Sequence, residues 1–278
     1  MKSRVKKVFK ILFLLIIITG GLFAFSLYNP GKLKFIDNIR IPLQAKVMAT
    51  VGDYLVGDVW IDNGEIIEGP EIISLEEVRE YADKLAPGSI FLTDSERYVS
   101  SEFIDGKWKH AGIYLGKKDQ IKKLFGEESK TYKKILPYYK TGEEQLKIDA
   151  GSHGVTIGDI SKLSNLTKIS YIKGFTAFKI NIDNEKIKNF IKISLTHLGK
   201  NYDYDMITDD DKDLYCSELV YESLKNIGIK YTSFSEKMGR KIVMPQDAFK
   251  DMIADTKIFT QVFELSKLQH KLKDKLSN

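Results

Sequence analysis

The chain has 278 residues and a single cysteine, Cys216. One thiol excludes an internal disulfide and any site built on several thiolates. Histidine is almost as scarce: His110, His153, His197 and His270 are the full set. No H-E-x-x-H pair or comparable ligand cluster occurs, and no glycine-rich loop is present to cradle phosphates. Neither a metal nor another cofactor is therefore expected. Excess charge is also lacking. The net charge is +5, and much of it sits in Lys2, Arg4, Lys6, Lys7 and Lys10. No stretch combines dense Lys/Arg with interleaved aromatics, so nucleic acid is not an expected partner. Repeats and low-complexity blocks are missing too.

Residues 11–28, ILFLLIIITGGLFAFSLY, contain no charge at all. A helix of about 17–25 apolar residues crosses a bilayer, and a basic flank stays on the cytoplasmic side. The expectation is a retained signal anchor with the rest of the chain outside the cytoplasm. The alternative is a cleaved signal peptide, for which Ala24-Phe25-Ser26 is a poor small-x-small site; cleavage would leave a secreted or periplasmic protein. No cysteine lies nearby, which excludes a lipid anchor on cysteine.

Residues 29–45, with Pro30 and Pro42, read as a linker, and 29–70 as a linker and N-terminal extension. Asn63-Gly64 between two apolar stretches is a hairpin signal. Ser74 and Glu77 form a capping box for a helix ending near Leu85. SIFLT (89–93) and HAGIYLG (110–116) read as strands. The second is apolar on both faces and belongs in the middle of a sheet. The Lys/Glu-rich segment 117–145 reads as a helical excursion outside the core. QLKIDAG (145–151) and TAFKINI (176–182) read as further strands. A helix follows from Asn184, with Ile187, Phe190, Ile191, Ser194 and Leu198 on one side and Gly199 as its stop. An acidic loop over 203–213 lacks the turn glycine and terminal glutamate of a calcium loop. Asn165-Leu166-Thr167 is a glycosylation sequon by pattern. Residues 261–278 read as a tail. This order of elements suggests an α+β domain over 71–260 with a mostly antiparallel sheet.

In CSELVYESLKNIG, Cys216 shares a face with Leu219 and Val220. By periodicity alone it is a small buried hydrophobe. Its place in the first turn of the helix opens another reading. Unpaired N–H groups and the positive end of the dipole favour a thiolate there and can hold an oxyanion. A thiolate needs a proton-transfer partner. His110, at the start of a buried strand, is oddly placed unless its ring is used. His153 in a Gly-Ser turn and His197 near a helix end read as surface or structural groups.

PGSIFLT (87–93), WKHAGIYLG (108–116), IDAGSHGV (148–155), NYDYD (201–205), LYCSELVYES (214–223) and MPQDAF (244–249) occur in that order. This ordered set resembles the permuted papain-like amidases of the YiiX/YaeF type, within the NlpC-like cysteine peptidase superfamily that also contains lecithin retinol acyltransferase. The resemblance covers roughly residues 85–250. It implies a circularly permuted papain-like fold, an antiparallel sheet packed against helices, with the histidine strand ahead of the cysteine helix. It implies Cys216 as nucleophile and His110 as general base, then acid. It places the third polar residue at Asp149 and matches Tyr204 to a tyrosine beside the oxyanion.

The expectation is a cysteine hydrolase, amidase or peptidase, cleaving an amide in a cell-wall peptide or an N-acyl substrate. The alternatives are a lipid acyltransferase or thioesterase with the same dyad, and a non-catalytic binding module on this fold. The expected partners are that peptide, lipid or acyl-amide substrate, and a membrane through the N-terminal helix.

Overall fold

The computed structural model describes residues 2–29, 32–52, 54, 61–62, 65–66, 72–95, 98–164, 171–204, 206, 212–237 and 240–267. Helix α1 (Lys2–Tyr28) carries the uncharged run. Its stretch Lys6–Tyr28 is long and apolar enough to cross a membrane, with a mean hydropathy of 2.5. Helix α2 (Lys34–Val51) folds back against it. This corrects the linker reading of residues 29–45. Pro42, taken as a sign of irregular chain, lies inside the helix. Tertiary contacts outweigh the local cost of proline. Asp37 and Arg40 are buried on the inner face of α2, where Arg40 Nε donates to Ser26 Oγ at 2.8 Å and Ser26 donates to Asp37.

Strands β1 (Ile61–Asp62) and β2 (Glu65–Ile66) pair antiparallel, as the hairpin signal implied. Asn63 and Gly64 lie outside the described residues, as do Asn165-Leu166-Thr167, most of the acidic loop and residues 268–278. Helix α3 (Leu75–Ala82) begins with the expected capping box: Ser74 Oγ accepts from Glu77 N, and Glu77 Oε2 accepts from Ser74 N at 2.8 Å.

The main body follows. It comprises β3 (Ile90–Asp94), β4 (His110–Gly116), α4 (Lys118–Phe125), α5 (Lys130–Ile135), β5 (Leu146–Gly151), β6 (Gly154–Asp159), β7 (Gly174–Ile180) and α6 (Asn184–Thr196). Then come α7 (Cys216–Lys225), a short pair β8 (Ser235–Lys237) and β9 (Arg240–Ile242), α8 (Pro245–Ala254) and β10 (Phe259–Ser266). Six strands form one antiparallel sheet in the order β10-β7-β3-β4-β5-β6. The fold class expected from sequence is the one observed. The strand β10 corrects the reading of 261–278 as tail: residues 261–266 belong to it, and it forms the sheet edge beside β7.

The sheet is covered on both faces, which explains why its central strands lack a polar side. Ile90, Leu92, Ala111, Ile113, Leu115 and Ile148 face the larger core with α6 and α7, whereas Phe91, Tyr114 and Phe175 face a second cluster under α3. The segment 117–145 is not the excursion its charge suggested. Ile121, Tyr132 and Ile135 are fully or nearly fully buried in the larger core, while its lysines cover the outside. Its periodic apolar positions are too few to stand out among so many charges.

Candidate active site

His110 opens β4 and Asp149 lies on the neighbouring β5. Gly112 pairs with Asp149 in the register of these two strands. The long intervening segment therefore does not separate them: it leaves the sheet and returns to the adjacent position. Alternation places Leu146, Ile148 and Ala150 in the larger core. Lys147 and Asp149 consequently point to the opposite face, where His110 is found. His110 Nε2 and Asp149 Oδ2 are 2.8 Å apart. Lys147 Nζ donates to the same carboxylate oxygen.

Glycine is required at position 112. A Cβ there would lie 2.4 Å from Phe91 Cζ and 3.0 Å from Asp149 Cβ. The glycine in H-A-G-I-Y-L-G thus lets the carboxylate approach the histidine strand without displacing Phe91.

Helix α7 begins at Cys216, which is 2% exposed. Its start is fastened in three ways. Glu218 Oε2 accepts from Tyr215 N at 3.4 Å, Ser217 Oγ donates to Val243 O at 2.6 Å, and Val243 N donates to Tyr215 Oη at 3.1 Å. MPQDAF fixes the other partner. Gln246 Oε1 accepts from Lys107 N at 3.0 Å and from Trp108 N at 3.4 Å, holding the approach to His110. Asp247 Oδ2 accepts from Met244 N at 3.1 Å, capping α8.

These supports place the Cys216 thiol and the His110 ring on the wall of one cavity, close enough for each to shift the other's titration. Burial pushes the thiol up. The His110 hydrogen bond and charge, with backbone hydrogen bonds from Ala111 and Ser217, outweigh it and hold the thiol below its ordinary value. Burial pushes His110 down. Hydrogen bonds to Asp149 and Cys216 and their negative charges reverse this, raising the imidazole to about 9. Asp149 is also pushed up by burial, but Lys147 and His110 bring it well below the usual carboxylate range. The three groups thus favour a thiolate, an imidazolium and a carboxylate in one chain.

Tyr204 lines the same cavity, its hydroxyl donating to Ser152 O at 3.3 Å. The neighbouring Tyr202 packs against it with ring centroids 4.8 Å apart. Burial raises the Tyr202 hydroxyl well above its usual value, and the Cys216 negative charge adds to that. Two tyrosines, rather than the one singled out in the sequence, therefore border the site. Lys147 also escaped sequence reading. The available signal was its two-residue spacing from Asp149, which puts both on one face of a strand. His153 is exposed at the cavity's edge and His197 is buried beyond α6; neither is part of the array. Among the described residues, no group of three or more His, Cys, Asp or Glu side chains could hold a metal ion.

The order of these pieces is decisive. A histidine strand precedes an acid strand, and both precede a cysteine helix, over a segment matched by a single family model. That model covers residues 84–272 and is described as permuted papain-like amidase enzyme, YaeF/YiiX, C92 family. The chain belongs to this family. Membership carries with it a cysteine-hydrolase type of function. Among solved structures, the chain is similar to the metalloprotein yiiX from Escherichia coli O157:H7, at 14% identity and a TM-score of 0.45, covering 66% of this chain and 99% of that one. No curated protein matches the sequence.

Proposed function

We propose that this permuted papain-like amidase is a membrane-anchored enzyme whose catalytic domain lies outside the cytoplasm and hydrolyses an amide bond through Cys216. The observation that carries the reading is the gathering of Cys216 and the hydrogen-bonded pair His110–Asp149 on one cavity of about 1320 Å³.

In this mechanism the Cys216 thiolate attacks the carbonyl carbon, forming a C–S bond. The negative oxygen that develops lies by the N-terminus of α7, whose first N–H groups lack helical partners. The His110 imidazolium gives its proton to the departing nitrogen, the C–N bond breaks, and an amine leaves. A water molecule then loses a proton to His110 and attacks the thioester carbonyl. The C–S bond breaks, releasing a carboxylic acid and restoring the thiolate–imidazolium pair. Asp149 holds the ring in position and stabilises its charge. Lys147 acts through Asp149.

The cavity exceeds the roughly 300–1,000 Å³ of ordinary small-molecule sites, which suits an extended substrate. The test is product analysis with purified protein against N-acyl amino acids, N-acyl lipids and cell-wall peptides. Release of free amine and acid that disappears in Cys216→Ser is expected. Release undiminished in Cys216→Ser would overturn the assignment. The orientation is checked with reporter fusions after residue 267, which are expected to be active only outside the cytoplasm.

A further inference from the structure

The hairpin of α1 and α2 does more than tether the domain. Its inner face is bound to the walls of the site. Besides the buried Ser26–Asp37–Arg40 contacts, Gln44 Nε2 donates to Tyr204 O at 3.0 Å. Beyond the end of α2, Ser100 N donates to Gly52 O at 3.0 Å and Val99 N donates to Tyr54 O at 2.9 Å. Leu27, from the last turn of the apolar span, and Met48 of α2 consequently line the cavity that also holds Cys216 and His110. Phe103, Ile104, Ile242 and Met244 add to the apolar lining of the same cavity.

The outer face of α2 has the opposite character from an ordinary solvent surface. Phe35, Ile39, Leu43 and Val47 recur every four residues and are 76%, 46%, 52% and 49% exposed. They form one apolar stripe on a helix that starts six residues after the span ends. Lys32, Lys34 and Lys46 are exposed alongside. An apolar stripe with flanking lysines, leading directly from a bilayer-length helix, fits the boundary between acyl chains and headgroups.

We infer that α1 and α2 are the membrane-facing wall of the active site, and that the cavity's occupant is the acyl chain of a bilayer lipid, admitted past Leu27 and Met48 with its carbonyl at Cys216. The inference rests on the amidase reading for the position of the carbonyl; occupancy by the chain is independent of turnover. It narrows the substrate to amides whose acyl part is a long hydrocarbon.

The full chain carrying Cys216→Ser is reconstituted in phosphatidylcholine vesicles doped with a phosphatidylcholine bearing a diazirine at the end of one acyl chain. After illumination, adducts are mapped by mass spectrometry. Adducts are expected on peptides spanning 98–104 and 240–244 of the catalytic domain as well as on α1. Met48→Lys, which puts an ammonium in the chain's path, is expected to reduce the catalytic-domain adducts about tenfold while those on α1 persist. Adducts confined to residues 6–28 would overturn the inference and leave a water-soluble amide, such as a peptide, as the occupant. The map of the protein with Met48 intact decides this even if Met48→Lys fails to fold. Separately, a wild-type Cys216 unreactive toward iodoacetamide would remove the amidase reading without altering the adduct map.

Discussion

His110 is the residue on which opposing effects meet. Burial alone would keep it neutral, and its two anionic neighbours raise it to about 9 instead. Proton donation to a leaving amine is therefore retained up to that pH and lost above it. The expected kcat/KM profile has an alkaline limb near 9, and Asp149→Asn should move that limb to lower pH while decreasing kcat by about 10²–10⁴-fold. Asp149 carries a linkage of opposite sign. Its carboxyl is lowered in the folded state, so its contribution to stability is complete above an unfolded value of about 3.9 and is lost as pH falls toward the folded one. Urea unfolding between pH 5 and 2 should show a shallower loss of stability in Asp149→Asn than in wild type. In the proposed mechanism Lys147, which donates to Asp149, positions this carboxylate. Lys147→Met should raise the acid limb of the activity profile, and Lys147→Arg should restore it; an unchanged profile would make Lys147 merely structural. Cys216 and His110 could be singled out in sequence because few residues of either type exist, and the resemblance to the permuted amidases supplied the roles proposed for them. Lys147 and Tyr202 were not, because lysines and tyrosines are abundant and their roles depend on strand register and loop packing.

At the scale of elements, β4 and β5 determine whether the array can form. Gly112→Ala would force its Cβ to within 2.4 Å of Phe91 Cζ. Overpacking of this kind costs about 1–3 kcal/mol, which should appear as a lower thermal midpoint together with lost activity. Phe91→Leu in the Gly112→Ala background should recover part of both; an additive further loss would contradict the steric account. The strands were readable because two-sided burial makes them apolar throughout, with glycine and proline marking their ends. Strand β6, G-V-T-I-G-D over Gly154–Asp159, was missed. Its glycines and exposed Thr156 dilute the apolar pattern, and its pairing with β5 supplies what its composition does not. Helix α2 was hidden by Pro42 and by a polar face that is buried against α1 rather than exposed to water. There Arg40→Met should remove the guanidinium that pairs with buried Asp37, a loss of up to about 3–5 kcal/mol for such pairs, read as faster proteolysis between residues 28 and 34.

The whole molecule joins a bilayer-length helix to a two-faced antiparallel domain, and the proposed thiol chemistry lies where the larger core meets the cavity. Composition identified the long uncharged run and the absence of multi-thiol sites; it had no means of showing that α2 lines the cavity, since that depends on contacts between residues such as Gln44 and Tyr204 that are far apart in sequence. Because all of the proposed chemistry depends on one ionised sulfur, the pH dependence of iodoacetamide alkylation at Cys216 tests the account most directly. A titration that lies below that of a small free thiol measured alongside, and a rate that falls by at least about tenfold at pH 7 in His110→Ala, are expected from a thiolate stabilised by the imidazolium. A single titration at or above about 8.5, the value of an unperturbed thiol, unchanged by His110→Ala, would contradict it.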